Sequence, residues 1–140
     1  MRAIQTLAVA LALVSHCAFA DIAVIVNPAN STKQLNRQQL TKLYMGRTRT
    51  FDNGSFVVVI DQPRDAPLRE RFFMAVVGMT QPQVNAYWSR LAFSGQVLPP
   101  QALPDDQAIV KFVRSNPSAI GYVQAESVDA GVRVVLTIKD

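Results

Sequence analysis

Apolar residues along this chain gather in short runs separated by polar turns. Ile22–Val26 is an unbroken, mostly β-branched run closed by Asn27-Pro28, the pattern of a buried strand. Asn36 stands three residues before Gln39, a capping-box spacing. It predicts a helix to about Met45, with Leu40, Leu43 and Tyr44 on its apolar stripe and Gly46 at its end. A basic loop over residues 47–55 holds the turn Asp52-Asn53-Gly54 and leads to a second buried strand, residues 56–60. Residues 61–67 form a rigid connector, and Pro67 suits the first turn of a helix running to about Val77. Thr80 caps the next helix, where Val84, Tyr87, Trp88 and Leu91 repeat at helical spacing; Tyr87, Trp88 and Phe93 are assigned to the core. After Ser94-Gly95, prolines 99, 100 and 104 stiffen a loop. Asp105 or Asp106 then opens a helix with Ile109, Val110 and Val113 inward, stopped by Asn116-Pro117. Strands over residues 119–123 and 132–138 close the chain. The order β-α-β-α-α-α-β-β predicts an α/β domain with a central, mostly buried sheet flanked by helices.

The N-terminus departs from this plan. Arg2 precedes an apolar stretch over residues 3–14, and Ala18-Phe19-Ala20 follows, which are the three parts of a secretory signal peptide. The stretch is shorter than the roughly 20 apolar residues that a bilayer span needs. Cleavage is expected between Ala20 and Asp21, leaving residues 21–140 as one periplasmic domain with no transmembrane segment. At 140 residues there is room for a single core.

Cleavage also changes the chemistry. His16 and Cys17 are the only His and Cys, and both leave with the leader. Cys–His and Ser–His–Asp catalysis are thereby excluded, as is zinc held by imidazole or thiolate; no metal or cofactor is expected. The remaining chain keeps 13 of the 14 basic residues and all 10 acidic ones, a formal charge of +3. Its basic residues are scattered among acids rather than gathered into a stripe, so no nucleic-acid partner is expected. Ser31, Ser55 and Ser94 have no neighbouring base, and no enzyme is expected.

Charge is densest around one helix start, with Arg64, Asp65, Arg69 and Arg71. A helix N-terminus offers free amides and the positive end of a dipole, and arginine adds paired donors matched to phosphate or carboxylate. At about 100° per residue, Arg69 falls inside the arc of Leu68, Phe72, Phe73 and Val76, whereas Arg71 falls outside it, towards water. An arginine on the apolar side needs a partner, because a buried unpaired charge is costly. That partner is Asp61 or Asp65, a backbone carbonyl, or a ligand anion. Arg64, Asp65 and Arg69 therefore form a candidate oxyanion site, with amides from the helix start near Pro67. Asn27, Ser31 and Thr32 are added from the loop after the first strand, where open α/β sheets place ligands; a plain turn is the other reading. Arg47 and Arg49 read as part of a solvated loop; a contact with a partner or an anionic head group is the other reading.

Residues 22–30 and 35–46, reading IAVIVNPAN and LNRQQLTKLYMG, resemble the segment entering the second lobe of the phosphate-binding proteins of ABC uptake systems. The turn at Phe51 to Gly54 with the strand after it, Trp88, Phe93-Ser94-Gly95, Pro99-Pro100 and the closing Pro117-Ser118-Ala119-Ile120-Gly121-Tyr122-Val123 continue the likeness over nearly all of residues 21–140. The resemblance implies one lobe of a periplasmic-binding-protein-like fold. It also implies binding of phosphate or another small oxyanion, in the service of an envelope transporter or sensor. In that family an Arg, an Asp and a Ser-Gly-Thr at a helix start hold the ion. Arg64 and Asp65 fit the beginning of that pattern, while the Ser-Gly-Thr position here reads Leu68-Arg69-Glu70. The family's other lobe has no counterpart in residues 21–140. The alternative is a periplasmic interaction protein that keeps the lobe fold and binds an envelope partner without a small ligand.

Overall fold

The computed structural model describes residues 20–139, so the expected leader up to residue 19 lies outside the described residues. Strand β1 (Ile22–Val26) is flanked on both sides and runs antiparallel to each neighbour, β4 (Ala119–Gln124) and β5 (Arg133–Ile138). Its side chains alternate between faces, which accounts for the unbroken apolar run. Ile22, Val24 and Val26 enter one core, and Ala23 and Ile25 enter the other. Strand β2 (Val58–Asp61) runs parallel to β4 and to a two-residue edge strand, β3 (Gln101–Ala102). The sheet order is β3-β2-β4-β1-β5.

Three helices, α1 (Arg37–Tyr44), α2 (Pro67–Val76) and α3 (Gln81–Ser94), build the larger core. Leu40, Tyr44, Phe72, Phe73, Val84 and Trp88 meet Val24, Ile120 and Tyr122 there. Helix α4 (Asp106–Ser115) covers the other face, with Ile109, Val110 and Val113 against Ile25, Ile60 and Val123. The predicted α/β class, a mostly buried sheet flanked by helices, is the observed one. The caps follow the sequence as well. Asn36 and Gln39 exchange side-chain and backbone bonds at 2.8 and 2.9 Å, Thr80 and Gln83 do the same, and Asp105 caps α4.

Four expectations are corrected. The second strand begins at Val58, and Phe56 makes only an isolated bridge to Thr50; Phe56 is 75% exposed and Val58 41%. Strand β3 pairs with Ile60 and Asp61 only, so the first half of the apolar run lies beyond the sheet's last strand. Phe93 is 96% exposed, because five residues beyond Trp88 is about 140° round the helix from the buried side. Arg71 is half-buried rather than solvated: in the uncleaved chain its Nη2 donates at 2.6 Å to the carbonyl of Ala20, the last residue before the expected cleavage. Strand β3 and the 3₁₀ turn Ala125–Ser127 were not predicted, since neither is long enough to show a period.

Candidate functional site

Because β1 is antiparallel to β4 while β2 is parallel to it, the loops after β1 and β2 lie at opposite ends of the sheet. This separates the residues that the sequence grouped into one site. Asn27 is buried under the C-terminus of α4, donating from Nδ2 to the carbonyls of Val113 (2.9 Å) and Arg114 (2.8 Å) and accepting from Ala29 N–H. It satisfies two of the carbonyls that a helix end leaves without partners. Ser31 accepts from Asn53 Nδ2 and lies with Thr32 beside the Asp52-Asn53 turn, where a shallow cavity of about 190 Å³ opens. Neither is among the residues that line the cavity of Arg64 and Arg69, and the Thr32 carbonyl accepts from Arg133 Nη1 at 3.2 Å.

Arg64 and Arg69 do come together. A cavity of about 290 Å³ opens where β2 ends, lined by Asp61, Gln62, Arg64, Arg69, Asn85, Trp88 and the prolines 99 and 100. Arg69 is 6% exposed, as its place on the helical wheel required. Its Nε bonds Asp61 Oδ2 at 3.0 Å, and its Nη1 donates to Gln81 Oε1, Asn85 Oδ1 and the Arg64 carbonyl at 3.0–3.2 Å. The guanidinium also lies over the Phe73 ring, 5.1 Å from its centre. Nη2 has no acceptor among the described residues. Of the partners named from sequence, Asp61 and a backbone carbonyl, that of Arg64, are both observed.

Asp61 is held just as firmly. Its Oδ1 accepts from the Gln62 N–H and from the Tyr122 hydroxyl, and Tyr122 stacks on Phe72 with ring centres 3.7 Å apart. Burial first, and then the nearby Asp61 carboxylate, raise the phenols of Tyr122 and Tyr44 well above the usual tyrosine range. Both therefore keep their protons, Tyr122 to bond Asp61 and Tyr44 to bond the Ile60 carbonyl at 2.8 Å. Gln62 is fixed from behind by Asp106 Oδ1 and the Tyr122 carbonyl.

The helix start supplies fewer amides than expected. Pro67 has no N–H, and the N–H groups of Arg69 and Glu70 both point to the Ala66 carbonyl. Within that first turn this leaves Leu68 N–H. Asp65 is exposed and is not among the lining residues, whereas Arg64 is exposed on the rim. Sequence reasoning missed Trp88, which it assigned to the core alone. Trp88 is 7% exposed, and its buried Nε1–H has no hydrogen-bond partner. Helical spacing revealed its burial and carried no signal of an unanswered donor.

No protein-family model matches the chain, and no curated protein does. Solved structures do. An ABC-type phosphate transport receptor from Vibrio cholerae superposes with a TM-score of 0.68 at 20% identity, over 84% of this chain and 46% of that one. A putative phosphate ABC transporter substrate-binding protein with bound phosphate, from Clostridium perfringens, gives 0.69 at 23% identity over 84% and 45%. PstS from Borrelia burgdorferi gives 0.62 at 12% identity over 84% and 48%. The fold is one lobe of a phosphate-receptor-like structure. The chain spans just under half the length of the structures it matches. Among the described residues no helix is long and apolar enough to cross a membrane.

Proposed function

We propose that this protein is an exported binding module for a small oxyanion, phosphate foremost, that serves an envelope transporter or sensor and carries out no catalysis. The ion sits in the cavity at the end of β2. The observation that carries the reading is the pair of arginines that line this cavity, the buried Arg69 and the exposed Arg64 beside it, with the Trp88 side chain in its wall. An anion there would accept from both arginines, and charge-assisted bonds from arginine are among the stronger contacts available to it. Asp61 holds Arg69 through Nε, and Gln81, Asn85 and the Arg64 carbonyl engage Nη1, which leaves Nη2 for a ligand. The shared fold with phosphate receptors supports phosphate as the first ion to test.

Calorimetry with phosphate, sulfate and acetate tests the reading. Arg64 is exposed and its side chain is dispensable for packing, so Arg64→Ala should fold normally and lose about tenfold in phosphate affinity, the size of one exposed charge-assisted bond. Arg71→Ala should leave affinity unchanged, since Arg71 is not among the cavity residues. A wild type silent to all three anions refutes the proposal.

A further inference from the structure

The exposed apolar start of β2 forms one wall of a second depression. This groove, of about 510 Å³, runs between β2 and the loop leading to β3, with Phe56, Val58, Leu98 and Pro99 along it and Trp88 at its inner end. Phe56 and Leu98 are 75% and 88% exposed, an arrangement that water disfavours and that marks an interaction surface. Arg49 lines the groove and donates from Nη2 to the Gln96 carbonyl at 2.7 Å, clamping the loop across its end; Arg47 is exposed two residues earlier. No lining residue is acidic. The sheet also stops here, since β3 supplies only two residues beside β2.

We propose that this groove binds an extended segment of another protein, one that places bulky apolar side chains in the groove and carboxylates against Arg47 and Arg49. The concave shape favours a polypeptide over a bilayer, because a flat surface reaches the protruding Phe56 and Leu98 but not the floor between them. Charge selects the flanks of the segment, as like charges would be repelled at that rim. Trp88, Pro99 and Pro100 line both this groove and the anion cavity, so a docked segment lies one side chain away from the ion site. The docking claim does not depend on an anion being bound.

The test is fluorescence anisotropy with a labelled peptide carrying Phe and Leu between glutamates, and with the same peptide carrying lysines instead. The expected result is at least tenfold tighter binding of the glutamate peptide, weakening as salt is raised. A further tenfold loss is expected in the Phe56→Ser, Leu98→Ser double variant. Both positions are exposed, and circular dichroism confirms that the variant is folded. Arg47→Glu should erase the preference between peptides. Equal binding of the two peptides, no binding of either, or full binding by the double variant overturns the proposal. So does a dimer in light scattering that the double variant dissolves, which would make the occupant a second copy. Sedimentation with phosphatidylglycerol vesicles that depends on Phe56 and Leu98 would make it a membrane, and overturns the proposal too.

Discussion

Arg69 carries a full charge into the core, and the structure answers it with Asp61, three further acceptors and the face of Phe73. Removing one partner from such a pair leaves the other charge buried, at a cost of about 3–5 kcal/mol. Asp61→Leu should therefore destabilise the protein by that order in urea unfolding. Asp61→Leu combined with Arg69→Met should cost clearly less than the two single changes added together, because no lone charge remains. Strict additivity would show that the two side chains do not act as a pair. The tyrosines behind Asp61 predict a pH dependence. Their phenols titrate higher in the folded protein than in the unfolded chain, so the native state holds their protons more tightly. Stability from this source is fully present below the ordinary tyrosine value of about 10 and is lost as pH rises above it. Denaturation midpoints should hold level up to that point and then fall. A midpoint that rises there would contradict the assignment.

Among the elements, the turn after α1 makes the sharpest demand on a single residue. Gly46 has φ +69°, and a Cβ there would stand 2.7 Å from the Trp88 ring and 3.0 Å from Val97. Gly54 has φ +84° with open space around it. Gly54→Ala should thus cost only the backbone penalty, about 1 kcal/mol. Gly46→Ala should cost more and disturb Trp88 as well, which thermal unfolding and tryptophan emission would register together. Helices α1, α3 and α4 were legible in the sequence because their caps and stripes are local features. Strand β2 was only half legible. Its apolar run promised burial, but burial depends on whether a neighbour covers it, and β3 is too short to cover Val58. The same limit applied to the site. Arg69 declared itself through its place on an apolar face, whereas grouping it with Asn27, Ser31 and Thr32 assumed that β1 and β2 run the same way. Strand direction is set by long-range pairing, which no local pattern encodes.

For the whole molecule, the decisive fact is that the chain corresponds to just under half of the receptors it matches. A cleft with one wall leaves a bound ion partly hydrated, and its charge pairs are weakened by the solvent. Millimolar affinity for phosphate is therefore expected from residues 21–140 on their own. Light scattering and calorimetry on one sample check this; a monomer with micromolar affinity would show that one wall suffices. The central claim is that the donors at the end of β2 hold an oxyanion. Trp88 is the only tryptophan and its side chain lines the cavity, so its indole N–H gives a single nitrogen-15 signal that senses changes in the cavity wall. This signal should move and saturate as phosphate is added, and stay in place when chloride is added at equal ionic strength. A signal that does not move through the whole phosphate titration would contradict the claim.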